Sequence, residues 1–296
     1  MRLAHMPLML LVTLGMTVLP HHSGAEDTTP RLSYGGKTAL VTGSTDGLGR
    51  ELALALAAQG AHVIVHGRNV ERGQEVVDKV AAAGVGSARF YAADFASIKA
   101  VREFAETIAR DYPRLDLLVN NAGIARTGEQ PRLTSPDGHD LQFAVNYLAG
   151  WVLINSLAPN LAAVAPSRVI NIASIAAQPI DFDDVMLERS GAHARGYGQS
   201  KLAPEFAARG ITMISLRPAT LMDTTMVESL GITPRTTVPE GRDHVMDLIT
   251  RRELQPGAFY VEGKPAAPLD PQPLDARARA RLVALSEELT GVPRQW

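Results

Sequence analysis

Thr38-Ala39-Leu40-Val41-Thr42-Gly43-Ser44-Thr45-Asp46-Gly47-Leu48-Gly49 is the stretch that decides the fold. Its first five residues read as a short buried strand. From Leu48 to Gln59 the pattern is rich in Ala and Leu with helical periodicity. Between the two lie glycines at 43, 47 and 49, which let the backbone turn sharply and approach a phosphate closely. A helix that starts there presents its first amides and the positive end of its dipole to an anion. Gly43, Ser44, Thr45, Gly47, Leu48 and Gly49 are therefore read as the pyrophosphate-cradling turn of a dinucleotide site.

The rest of the chain alternates in the same way. Further strands are predicted at 61–66, 88–93, 116–120, 168–174 and 211–216. Helices are predicted at 70–83, 98–111 and, as one long rod, 138–164. Mostly apolar strands separated by helices imply a parallel sheet covered on both faces, the doubly wound α/β architecture of the Rossmann type. One domain is expected over 37–296, with a proline-rich excursion at 265–273 and a charged terminal helix at 276–289.

In such a sheet the ligand sits at the carboxyl ends of the strands. An acidic residue ending the second strand would bind the ribose hydroxyl of NAD. Here the sequence is His66-Gly67-Arg68-Asn69, and Arg68 offers a guanidinium fork to a 2′-phosphate, which favours NADP over NAD. Asp94 follows the third strand and is placed to meet the adenine. Asn120, Asn121, Ala122 and Gly123 follow the fourth and are placed to line the crevice.

Tyr197 and Lys201 are four apart, one helical turn from each other on one face. A phenol is a poor acid or base at neutral pH, with an unperturbed pKa of about 10. A nearby ammonium favours the phenolate, so the pair reads as a proton-transfer device.

Together, TGSTDGLG (42–49), NNAG (120–123), the serine taken to close the fifth strand (Ser174) and YGQSK (197–201) resemble the short-chain dehydrogenase/reductase family over about residues 35–263. Within it, HGRN (66–69), DLQFAVN (140–146) and the long gap between Ser174 and Tyr197 are most similar to retinol-dehydrogenase-like and WW-domain-oxidoreductase-like members. The resemblance implies a homo-oligomeric oxidoreductase that interconverts an alcohol and a carbonyl compound with NAD(P). It implies that Tyr197 is the general acid/base. Lys201 would depress the tyrosine's pKa and hold the nicotinamide ribose, Ser174 would polarise the substrate oxygen, and Asn146 would tie Lys201 to a water chain. Pro218 and Thr220, after the sixth strand, would meet the nicotinamide, with Thr224 an alternative for its carboxamide. Residues 175–196 and 219–240 are expected to form substrate loops, with Met222, Met226 and Val227 lining an apolar pocket and 180–187 a substrate-facing wall. A lipophilic substrate follows by analogy.

Two departures stand out. Pro218-Ala219 replaces the usual Pro-Gly. More seriously, only ten residue steps separate Lys201 from Ile211, and Pro204 lies among them. Ten residues of helix span about 15 Å, whereas the sheet needs roughly 30 Å. The helix carrying Tyr197 must therefore stop near Ala203, which predicts exposed apolar sheet and a weakened oligomer. An NADP-binding protein with little or no turnover is the alternative reading.

Composition narrows the field. Lys+Arg 29 against Asp+Glu 31, without a basic run, argues against nucleic acid as partner. The lack of cysteine excludes disulfides, thiolate metal sites and a thiol nucleophile, and no metal site is expected. Residues 1–25 read as a signal peptide or an N-terminal anchor: Arg2, an apolar run over 7–19, then Ser23-Gly24-Ala25. Export or membrane anchoring follows, with the cytoplasm as the alternative. Residues 26–36 read as a disordered lead-in.

Overall fold

Apolar residues alternate along β1 (Thr38–Val41), and so does the side of the sheet on which they are buried. Leu40, Ile64, Leu118, Val169 and Met213 enter one core; Ala39, Val41, Val63, Val65, Leu117, Val119, Ile170 and Ile214 enter the other. The computed structural model describes residues 31–126, 131–189, 194–202 and 210–295. The first core lies beneath α3 (Ile98–Asp111) and α5 (Ala149–Ser156), the second beneath α1 (Gly47–Ala58), α2 (Val70–Ala83) and α9 (Val238–Thr250).

The sheet also contains β2 (His62–Gly67), β3 (Ser87–Ala92), β4 (Leu117–Asn120), β5 (Ser167–Ile172), β6 (Ile211–Arg217), β7 (Phe259–Val261) and β8 (Lys264–Ala266). Their order is β3-β2-β1-β4-β5-β6-β7-β8, all parallel except the final β7–β8 hairpin. This is the expected doubly wound α/β sheet. The chain winds outward in both directions from β1 and β4, so a crevice opens between their carboxyl ends.

Several expectations are corrected. The predicted rod at 138–164 is three pieces. It starts at α4 (Leu141–Phe143), where the Asp140 carboxylate caps the Phe143 amide at 2.9 Å, and passes through a π-helical turn over Ala144–Leu148 into α5. It then breaks at Leu157 into α6 (Ala158–Ala162), because Pro159 lacks the amide that a continuous helix needs. β5 ends at Ile172, so Ser174 lies two residues beyond it. β7, β8, α8 (Thr225–Ser229) and α9 were not predicted: α8 falls in the segment read as a substrate loop, and β7 and most of α9 in a stretch given no element. Of the lead-in, Arg31 to Gly36 is tied down: Leu32 donates to the Thr250 carbonyl at 2.7 Å, and Tyr34 is buried.

The segment read as a signal peptide or anchor (1–25) and the point near Ala203 where the helix is expected to stop lie outside the described residues, which break at 203–209. On either side of that break, α7 (Ala194–Ser200) ends just before Lys201, and β6 begins at Ile211. The expected exposed apolar sheet is not found: Val169, Ile211 and Met213 are 0, 5 and 1 % exposed. They share a core with Leu157, Leu161, Leu202 and Leu282, the last from the terminal helix α10 (Ala276–Thr290). Among the described residues, no helix is long and apolar enough to cross a membrane, and no cluster of side chains could hold a metal ion.

Candidate active site

Two contiguous cavities occupy the crevice, of about 510 and 400 Å3. They share Gly43, Asp46, Ala122 and Gly123, so together they form one elongated groove.

The turn after β1 is built as its sequence requires. Gly43 takes a left-handed φ of 63°, and a side chain on Gly49 would collide with the Gly43 carbonyl. Asp46 caps α1 by accepting from the Gly47 amide at 2.8 Å; its other oxygen accepts from Thr225 at 2.9 Å. Ser44 points inward instead. Its amide donates to the His66 carbonyl, and its hydroxyl donates to Val41 O while accepting from His66 N. It shapes the turn and leaves nothing for a ligand.

His66 is the residue the sequence reading missed here. Its Nδ1 accepts from the Gly43 amide at 3.1 Å, its Nε2 donates to Ala93 O at 3.3 Å, and its ring stacks on Phe95 at 3.9 Å. Burial holds its pKa down to about 3, which keeps Nδ1 an acceptor. The available signal was a titratable ring closing an otherwise apolar strand.

The smaller cavity holds Thr45, Arg68 and Asp94. Arg68 and Asp94 are both exposed and 3.9 Å apart, a loose ion pair. Asn69 does not face the groove: it caps α2 by accepting from the Arg72 amide at 2.9 Å. Asn120 also turns away and donates to Asn171 at 2.9 Å. Its neighbour Asn121 lines the larger cavity, donating to Thr42 O and Gly43 O, and so joins β4 to the turn.

Tyr197, Ser174 and Lys201 converge on the wall of the larger cavity. Burial pushes the Tyr197 phenol up, and a hydrogen bond from Ser174 opposes that shift. The expected lowering of the Tyr197 pKa by Lys201 is not what the geometry gives. The Lys201 ammonium lies 5.9 Å from the centre of the tyrosine ring, donates to Ile172 O at 3.1 Å, and is itself brought down to about 8 by burial. Asn146, in the π-helical turn, donates to Ile124 O and to Ser200 Oγ, both at 2.9 Å, and accepts from the Ile124 amide at 2.8 Å. It thus bridges the segment after β4 to α7, next to Lys201.

The far wall is apolar, with Leu221, Met222, Met226 and Val227 among its residues, and partly exposed Ile175 and Ile232 at the mouth. Leu221 sits at a left-handed φ of 53°, uncommon for a bulky residue. Pro218 lines the cavity and its carbonyl accepts from His244 at 2.7 Å. Thr220 is not on the wall, whereas Thr224, the cap of α8, is. The expected substrate-facing wall at 180–187 is corrected too: Ile180, Val185 and Leu187 are buried in the core.

The groove fits a dinucleotide. It is long, its floor is edged by glycine at 43, 47 and 123, and a side chain on Gly123 would sit 3.1 Å from the Lys201 nitrogen.

A family profile described as short chain dehydrogenase matches residues 37–234. Human retinol dehydrogenase 13 is 38% identical over 198 residues, covering 62% of this chain and 58% of that protein. Mouse retinol dehydrogenase 12 is 32% identical over 206 residues, covering 66% and 64%. The chain thus spans less than two thirds of the length of either relative. Among solved structures, a short chain dehydrogenase from Burkholderia cenocepacia J2315 in complex with NADP aligns with a TM-score of 0.63 at 29% identity, covering 77% of this chain and 97% of that one.

Proposed function

From the premise that the chain belongs to the short-chain dehydrogenase family, a family of cofactor-dependent oxidoreductases, we propose that it interconverts a lipophilic alcohol and its carbonyl compound with NADP(H). The observation that carries this reading is the convergence of Ser174, Tyr197 and Lys201 on an apolar cavity continuous with the glycine turn.

When bound, the nicotinamide supplies or accepts the hydride. Gly43, Gly47, Thr45, Ala122 and Gly123 would hold the rest of the dinucleotide, with Pro218 and Thr224 beside the nicotinamide. Arg68 would meet the 2′-phosphate once freed from Asp94, in keeping with the NADP complex of the Burkholderia relative. Tyr197 gives its proton to the carbonyl oxygen in reduction and takes it back in oxidation. Ser174, already bonded to Tyr197, holds the same oxygen. Lys201, anchored on the Ile172 carbonyl at 3.1 Å, would hold the nicotinamide ribose. The wall at Met222, Met226 and Val227 excludes water and selects bulky apolar groups.

The test follows NADPH oxidation by absorbance across aldehydes and ketones of increasing lipophilicity, with NADPH and NADH binding followed by fluorescence. Turnover that rises with lipophilicity, with NADPH bound more tightly than NADH, is expected. Binding without turnover of any carbonyl or alcohol supports the second reading, a cofactor-binding protein with little catalysis. The shortness of α7, with Lys201 in its C-terminal turn, its amide donating to Tyr197 O at 3.2 Å, favours that reading. For the N-terminal segment we propose a cleaved export signal, and N-terminal sequencing of the purified protein checks it.

A further inference from the structure

Residues 272–295 lie beyond the family match, which ends at 234, yet they contact three segments that carry the site. The Gln272 amide pairs with the backbone of Ile180, accepting from its N at 2.6 Å and donating to its O at 3.0 Å. Arg281 donates to Asp183 at 2.8 Å. Both partners lie in the loop that leads from Ser174 to α7. Leu282 is buried beside Leu202, which directly follows Lys201.

The third contact is the most specific. Along α10 the buried stripe is Leu282, Ser286 and Thr290, spaced by four residues. Two of these three are hydroxyls where packing alone would place apolar side chains. Ser286 is fully buried, and its only proton goes to Leu282 O at 2.7 Å. Its oxygen can therefore only accept from Tyr147 OH, 2.8 Å away. The same face of the partner rod continues four and eight residues on. Trp151 donates to Val292 O at 3.0 Å, and Asn155 accepts from the Gln295 amide at 3.0 Å.

Tyr147 lies in the π-helical turn, one residue after Asn146. A π turn carries one residue more than an α turn, and it is a rare form inside an α-helix. Relaxing it to α-helix would rotate Asn146 by about 100° and break its bond to Ser200. α7 has only seven residues and ends at Ser200, so it needs support from outside itself.

We infer that residues 272–295 are a strap that positions the active site, and that the Tyr147–Ser286 hydrogen bond fixes the π turn so that Asn146 holds α7. Tyr147 and Ser286 are positioning residues; neither touches the groove. The inference rests on the proposed oxidoreductase only for its effect on turnover.

The experiment uses the full chain with Tyr147→Phe, Ser286→Ala and the double substitution, each removing a single hydroxyl or a pair. Amide hydrogen–deuterium exchange is followed at 194–202 and at 38–58, with NADPH as the binding probe. Exchange at 194–202 is expected to rise about five- to tenfold in each single variant, the size of one buried hydrogen bond. The double variant should go no further, because both changes delete the same bond. Exchange at 38–58 and NADPH affinity should stay as in the wild type, while kcat falls by a similar factor. Unchanged exchange at 194–202, an equal rise at 38–58, or additive effects in the double variant would each overturn the strap. A wild type that turns over no substrate counts against the proposed function alone, since exchange still decides the strap.

Discussion

The turn after β1 and the wall around Tyr197 line one groove and are held by different means. The turn is held mostly by its neighbours along β1, α1 and β2. A four-residue strand runs into three glycines and a twelve-residue helix capped by Asp46, and His66 locks the whole to the next strand. The Tyr197 wall borrows its rigidity. α7 is seven residues long, and its neighbours are fixed by Asn146, by the Ile172 carbonyl, by Gln199 donating to Val185 O at 2.5 Å, and by the C-terminal strap. A local device tolerates distant change; a borrowed one does not. Substitutions in the two regions should therefore separate binding from turnover.

The largest effect is expected from Tyr197→Phe, which removes the proton donor and leaves the ring. Turnover should fall by roughly 10³-fold or more, with NADPH binding still measurable by fluorescence. Substantial residual turnover would remove Tyr197 from its role.

Next comes Gly198→Ala. A methyl there would lie 2.6 Å from Ala176 O, so α7 and the loop after Ser174 cannot both stay in place. A displacement near 1 Å costs on the order of 100-fold in rate, and kcat should drop by about that much with NADPH affinity kept. Equal losses in both would show that the two regions are not independent.

At the turn, His66 makes stability depend on pH. Its folded pKa of about 3 lies below the ordinary 6.5. Its contribution is therefore complete above pH 6.5 and is lost as pH falls toward 3. Between pH 6.5 and 4.5 this amounts to on the order of 2 kcal/mol. His66→Asn keeps an acceptor for the Gly43 amide but does not titrate, so urea midpoints at the two pH values should differ less than in the wild type. Identical differences would refute the role.

The smallest effect carries the opposite sign. Lys201 is buried with a pKa of about 8, below its ordinary 10.5, so its charged form weighs against folding below pH 8. That burden lifts as pH rises from 8 toward 10.5. Lys201→Met should raise stability at pH 7 by about 1 kcal/mol, with the gain shrinking by pH 10. Thermal melts at both pH values check this; a less stable variant at pH 7 would show that the Ile172 bond outweighs burial.

The same contrast governs what could be read in advance. The glycine turn and the first six strands were legible because each is written in consecutive residues. Ser44, Asn69 and Asn120 were assigned to the groove by position alone. Whether a polar side chain faces a ligand or a backbone group depends on neighbours such as Val41, Arg72 and Asn171. The rod at 138–164 was read as continuous because a π turn leaves no clear trace in periodicity. The expected loss of sheet cover failed because Leu282, 81 residues after Lys201, packs into that core.

By itself the sequence determined the doubly wound sheet, the site of the groove and the family. Strand hydrophobicity, glycine conformational freedom and helix capping all act over a few residues. Tertiary structure alone decided which polar groups face the groove, the acceptor state of His66, the burial that brings Lys201 down to about 8, and the strap that braces a shortened helix. Each of these depends on desolvation or on a hydrogen bond between groups far apart in the chain, which only the folded molecule brings together.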